Sequence, residues 1–308
     1  MKAFVARLDK TGNLEDAVDV ADAYSSINDK KLQNSILSYV IENEQNSIAE
    51  DNERGRVIYG LLKSIFLSAD STNRIDLTSV LGIPSIYEVA NKDLRDETGK
   101  IVQQVFWYGD EDGKTYFPAF INSFSPKEWK ITPKKEWYEI NSLKGNVWIY
   151  ANRPLDNDSN LDDSAQIHLN RYLEDSNLHP SVIVHRGHSY WLPRTIKRMP
   201  GDARIVVLGS CGGYKNLNDI IDSNPDAHII STKEIGAGEI NRPVSNYLNQ
   251  AFESGTTLTW KTMWASLTKL FSADQNKALR ESWDDYIPPY KNLGAIFIKA
   301  YNKKMESE

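Results

Sequence analysis

Val182-Ile183-Val184-His185-Arg186-Gly187-His188-Ser189 and, further on, Arg204-Ile205-Val206-Val207-Leu208-Gly209-Ser210-Cys211-Gly212-Gly213 decide how this chain is read. Each contains a run of consecutive apolar residues followed by polar residues and glycine. A short apolar run without alternation predicts a strand buried on both faces, the kind found in parallel sheets. Outward from these two, the strand Val147-Trp148-Ile149-Tyr150 precedes an Asp-rich loop and a helix from about Leu161 to Asp175. A short helix near Arg194 to Met199 separates the two quoted strands. A helix from about Leu217 then leads to the strand Ala227-His228-Ile229-Ile230. Strand–helix alternation of this kind predicts an α/β fold with a mainly parallel sheet covered on both faces. Sites in such sheets lie outside the carboxyl ends of the strands, which is where His185, His188 and Cys211 fall.

Cys211 is the only cysteine, and two of the five histidines share one four-residue motif. A thiol needs a base or a positive neighbour to become thiolate at neutral pH, and an imidazole supplies that. A lone cysteine is also a small hydrophobe suited to a core. Gly212-Gly213 favours the reactive reading, because a sharp turn after the strand lets a substrate approach the thiol. The pattern therefore predicts a Cys211–His188 dyad.

The 308 residues suffice for a large core in one or two domains. Hydrophobic residues make up 40%, charged residues 25% and the net charge is −6, as in ordinary globular proteins. No apolar stretch approaches the roughly 18 residues of a membrane span, which excludes a membrane partner of that kind. The acidic balance and the lack of a Lys/Arg cluster argue against nucleic acid. Arg7, Asp9 and Lys10 interrupt what would be the apolar part of a signal peptide. A complete chain is thus expected in the cytoplasm, and a fragment of a longer protein could be exported. With one cysteine no internal disulfide can form.

A hydrophobic block ending in Gly-His, a spacer with a helix, and a second block ending in a small residue and Cys resembles the caspase–legumain–gingipain group of cysteine peptidases. The nearest local likeness is to the gingipain-type Tyr-x-Gly-His-Gly-Ser, aligned with His185-Arg186-Gly187-His188-Ser189. The resemblance covers about Val147 to Ser254 and implies a bacterial member with a caspase-like three-layer sandwich. It implies peptide-bond hydrolysis without a cofactor, acting on a peptide or protein substrate. Cys211 would be the nucleophile and His188 the histidine that assists it, with no third carboxylate required. Backbone N–H groups of Ser189 and Cys211 would bind the oxyanion. His185 would be a neighbour in the aromatic position of the motif. Gly187, Gly212 and Gly213 would shape the backbone, and Arg186, Tyr190 and Trp191 would line a substrate pocket. Ser189 stands where the group has a second glycine, and Ser210 where alanine or glycine is commoner. The alternative from another class is a silent caspase-like fold that serves as a protein-binding module.

Other motifs carry less. His185, His188 and Cys211 are zinc-type ligands, but their spacing at strand ends is poor metal geometry, so no metal is expected. Asp156-x-Asp158-x-Asn160 begins like a calcium loop, yet Leu161 replaces the turn glycine and Ile167 the terminal glutamate. A phosphatase-like reading of Cys211 would want an arginine where Leu217 stands.

Ahead of the α/β part, apolar residues at three- and four-residue spacing predict helices between Asn13 and Leu67. Val102 to Tyr108 and Thr115 to Phe120 read as two strands of a hairpin turned by Gly109-Asp110-Glu111-Asp112-Gly113. Glu136 to Ile140 reads as another strand. Helices are expected around Val244 to Phe252 and Thr259 to Phe271, and a last strand at Ala295-Ile296-Phe297-Ile298. The expected division is a helical region 1–100, a β-hairpin-rich segment 101–145 and an α/β domain 146–308.

Overall fold

The computed structural model describes residues 2–24, 26–27, 29–73 and 75–306. They form two compact units, one from the residues up to Ile86 together with those from Tyr290 on, the other from Tyr87 to Pro289.

The first unit is helical: Glu15–Tyr24 (α1), Lys30–Ala49 (α2), Glu53–Ala69 (α3) and a C-terminal helix, Leu293–Glu306. Asp29 caps α2 by accepting from the Lys31 N–H at 2.8 Å, and Asn52 caps α3 by accepting from the Gly55 N–H at 3.0 Å. Tyr24 and Phe66 stack with ring centroids 3.8 Å apart. The expected strand at Ala295 to Ile298 lies inside the C-terminal helix. Leu293 to Ile298 are all buried, and a helix covered on every side has no polar face to reveal its period.

The second unit is the α/β part. Its main elements are Ile101–Trp107 (β1), Glu111–Asn122 (α4), Trp129–Pro133 (β2), Trp137–Ser142 (β3), Val147–Asn152 (β4) and Leu161–Asp175 (α5). Val182–Arg186 (β5), Leu192–Arg198 (α6), Ile205–Leu208 (β6) and Leu217–Ser223 (α7) follow. His228–Thr232 (β7), Gly238–Ser254 (α8), Trp260–Ser272 (α9) and Tyr286–Ile287 (β8) complete it. The strands form an eight-stranded sheet in the order β8-β7-β6-β5-β1-β4-β3-β2. From β7 to β4 every pairing is parallel, and antiparallel pairings attach β8 at one edge and β3 followed by β2 at the other. The quoted runs pair directly, Val182 with Ile205 and His185 with Leu208.

Helices cover both faces. Neighbouring residues of a strand point to opposite sides. The Gln103 amide donates to Asn249 on α8 at 2.6 Å, and the next side chain, Gln104, donates to Asn170 on α5 at 2.5 Å. The connection from β1 runs toward β4, whereas the connection from β5 runs toward β6. The strand order therefore reverses between β1 and β5, which opens a crevice at their carboxyl ends.

The hairpin expected at 102–120 is absent. Its first arm is β1, a fully buried strand at the centre of the sheet, and its second is helix α4. Gly109 to Gly113 is a helix start. The Asp110 side chain accepts from the Gly113 N–H at 2.8 Å, and Glu111 and Asp112 favour the positive end of the helix dipole. Phe117 and Phe120 then pack on Trp107 with ring centroids at 5.3 and 5.4 Å. The segment 101–145 is therefore part of the α/β unit, and the last residues of the chain are not.

Candidate functional site

The end of β5 is held by a buried histidine. His185 is fully buried, and its Nδ1 lies 2.8 Å from the Thr195 hydroxyl. Its Nε2 faces the carbonyl oxygens of Gly187 at 3.0 Å and His188 at 3.2 Å. Two carbonyls can only accept, so Nε2 carries the proton and Nδ1 accepts from Thr195. The Thr195 oxygen is left to accept from the Tyr108 hydroxyl at 2.8 Å. Burial pushes the His185 pKa down to about 4, which keeps the ring neutral. With both nitrogens engaged, His185 fixes the Gly187–His188 backbone and is not available as a metal ligand.

Gly187 has no room for a side chain, since a Cβ there would lie 2.4 Å from Cδ2 of Tyr108. That ring stacks on Trp191 at 5.1 Å, and the Trp191 indole N–H donates to Asp110 at 2.9 Å. The loop after β5 is thus fastened to the cap of α4. His188 is partly exposed, stacks on Tyr190 at 5.2 Å and brings Nε2 to 3.3 Å from an Asp112 carboxylate oxygen. Ser189 begins a short 3-10 turn, Ser189–Trp191, where the first N–H meets no carbonyl of the turn itself.

The end of β6 is held by backbone contacts. Asn241, on α8, donates to the Gly209 carbonyl at 3.0 Å and accepts from the Tyr286 hydroxyl at 2.9 Å. A Cβ on Gly209 would lie 2.0 Å from Oδ1 of Asn241, and one on Gly236 would lie 2.1 Å from the Gly209 oxygen. The Thr232 hydroxyl donates to the Ser210 carbonyl and lies 3.3 Å from the Gly213 N–H, which donates to it. Gly212 adopts φ +65°, the left-handed region open to glycine, and turns the chain into the Gly213–Asn216 3-10 turn ahead of α7. Cys211, at this turn, is exposed.

Cys211 and His188 line one cleft of about 60 Å³, together with Arg186, Ser210, Asp112 and Asn241. Gly187 borders it as well. Ser189, Tyr190, Trp191, Gly212 and Gly213 are not among its lining residues, and His185 lies beneath it. The two aromatics suggested as pocket walls instead brace the loop. Arg186 places its guanidinium 5.0 Å over the Trp107 ring. Among the described residues its Nη1 is buried without a hydrogen-bond partner, as is the Ser210 hydroxyl. The adjoining cavity, about 220 Å³, is walled by Ala119, Phe120 and Phe124 and shares Tyr116, Arg186 and Gly238 with the cleft.

Among the described residues no group of three His, Cys, Asp or Glu side chains could hold a metal ion, and no helix is long and apolar enough to cross a membrane. Asp112, Asn241 and Tyr116 reach the cleft from segments that the motif reading does not include. Asp112 could have been found by reading Asp110-Glu111-Asp112 as a capped helix start, which puts it at the carboxyl end of β1. The chain matches no protein-family model, no curated protein and no solved structure.

Proposed function

We propose that this chain is a cysteine peptidase of caspase-like fold in which Cys211 and His188 act as a dyad. The observation that carries the reading is that the only thiol and a partly exposed imidazole, at the carboxyl ends of adjacent parallel strands, line the same cleft. In the proposed reaction the thiol gives its proton to His188 and the thiolate adds to the peptide carbonyl carbon. The imidazolium then protonates the departing amine, and water attacks the resulting thioester with His188 as base. Backbone N–H groups of Cys211 and Ser189 are the proposed oxyanion donors, each worth a few kcal/mol when aimed at the developing charge.

Asp112 adds what the resemblance does not require. With its Nε2 facing the Asp112 carboxylate, His188 keeps Nδ1 for the thiol. His185 supports the same arrangement from below by fixing the carbonyl of His188 itself.

The test is cleavage of a denatured-protein or peptide-library substrate, mapped by mass spectrometry, with native protein and single variants. Cys211→Ala and His188→Ala are expected to lower turnover by at least about a hundredfold while leaving the fold intact. Unchanged cleavage in Cys211→Ala would overturn the reading. So would a thiol that reacts with iodoacetamide only after denaturation, which would favour a non-enzymatic binding role.

A further inference from the structure

We propose that Tyr286 is a positioning residue for the nucleophile, its hydroxyl setting the Cys211 turn through Asn241 and the loop 233–237 after β7; this rests on the peptidase reading above. Tyr286 is buried on β8, where it pairs with Thr232 of β7, far along the chain from the motifs that carry Cys211 and His188. Its ring is held by packing, with Trp283 stacked on it at 5.9 Å and on Trp264 at 4.9 Å. Phenylalanine would serve that packing equally. A buried hydroxyl costs free energy unless it is bonded, so its partners point to what it does.

The hydroxyl joins the loop to the helix that grips the nucleophile turn. Its oxygen accepts from the Ala237 N–H at 3.0 Å, and its proton faces Oδ1 of Asn241 at 2.9 Å and the Ala237 carbonyl at 3.2 Å. Burial pushes the Tyr286 pKa up, so the proton stays in place. Asn241 presents Oδ1 to Tyr286 because its Nδ2 donates to the Gly209 carbonyl at 3.0 Å, two residues before Cys211. Asp285 fastens the other end of the same loop. Its carbonyl accepts from the Lys233 N–H at 2.9 Å, and its carboxylate accepts from the Ile235 N–H at 3.1 Å. Between these ties Gly236 lies against the Gly209 carbonyl, with no room for a Cβ. The two consecutive residues Asp285 and Tyr286 therefore hold a loop that bears on the nucleophile turn. Without the hydroxyl, Asn241 loses the partner that aims its amide at Gly209.

The experiment follows iodoacetamide labelling of Cys211 by intact mass in native protein, Tyr286→Phe, Asn241→Ala, the double variant, His188→Ala and Leu173→Ala, with melting curves confirming that each folds. Leu173 is buried on α5, on the other face of the sheet from α8, and shows what a loss of stability alone does. At about pH 6.5 a thiol ionised by its neighbours stands apart from an ordinary one, whereas at about pH 10 every accessible thiol is ionised. The other titratable groups lining the cleft are Asp112, Tyr116, Arg186 and His188. Tyr286→Phe is expected to slow labelling at least about fivefold at the lower pH and less than about twofold at the higher, with Leu173→Ala near native at both. Because the hydroxyl acts through Asn241, the double variant should label within about twofold of Asn241→Ala. Native rates in Tyr286→Phe, equal slowing at both pH values, or additive effects in the double variant would overturn the proposal and leave the dyad standing. If His188→Ala labels as fast as native protein at the lower pH, the dyad reading fails. Amide hydrogen exchange of Gly209 to Gly213 then decides the present point. Exchange at least about tenfold faster in Tyr286→Phe than in Leu173→Ala supports it, and equal exchange refutes it.

Discussion

The ends of β5 and β6 bring polar groups to one cleft by different means. At β5 side chains do the holding: both nitrogens of His185, the Thr195 and Tyr108 hydroxyls, and the Trp191 indole on Asp110. At β6 the Asn241 and Thr232 side chains hold backbone carbonyls, and Gly209 and Gly236 are packed too tightly for an added Cβ. The difference teaches that only the β5 end is held by a buried titratable ring, and that added bulk meets a side chain, Tyr108, at the β5 end but backbone at Gly236 on the β6 side.

The largest effect is therefore expected from bulk at the β6 end. Gly236→Ala sets a Cβ against a backbone carbonyl with no flexible side chain to yield, and should cost about 3 kcal/mol, measured by urea unfolding. Thiol labelling at Cys211 should change with it, because the same loop lies on Gly209. A loss below about 1 kcal/mol would mean that the loop shifts easily and that the contrast between the two ends is weak.

Acid should find the β5 end. His185 is neutral when buried, with its pKa depressed to about 4 from an ordinary 6.5. Between those values the unfolded chain binds the proton and the folded one does not, so stability is lost as the pH falls from about 6.5 to about 4. At 1.36 kcal/mol per unit the loss is about 3 kcal/mol at most. Unfolding curves across this range should show it, and His185→Gln should remove that part of the slope. A slope unchanged in the variant would assign the acid sensitivity elsewhere.

A smaller effect is expected from Thr195→Val, which takes the hydroxyl from His185 Nδ1 and from Tyr108 and should cost about 1–3 kcal/mol. The smallest concerns Asp112→Asn. Its pair with His188 is open to solvent, so stability should change by less than about 1 kcal/mol. Iodoacetamide labelling of Cys211 should nevertheless slow, since the imidazole loses its carboxylate. No change in labelling would remove Asp112 from the proposed chemistry.

The sequence was most legible where a short apolar run is closed by polar residues and glycine and flanked by helical segments. The runs at Val182 and Ile205 are short, rich in Val and Ile and followed by glycine, which marks them as covered strands, and their pairing agrees with the alternation around them. It was least legible where a cap decides the outcome. Tyr116-Phe117-Pro118-Ala119-Phe120 has the aromatic content of a strand, and only the Asp110 cap and the ring contacts with Trp107 make it a helix. The apolar run Ala295 to Ile298 reads as a strand and is helix, because burial on all sides hides the helical period. In the cleft, the motif residues could be read directly. Asp112 and Asn241 could not, because segments far apart in sequence deliver them and no local pattern pairs them with Cys211.

The adjacent amides Gln103 and Gln104 solve a problem that apolar strands create. A strand covered on both faces has no alternation to fix its alignment, and a slip by one residue would exchange one set of aliphatic side chains for another at little loss. Here a slip by one residue in either direction would set one glutamine in the other's place and leave the second glutamine, and one of Asn249 and Asn170, without its amide partner. The two glutamines act as a vernier on the central strand, admitting a single alignment of the sheet and with it a single placement of the crevice at its end.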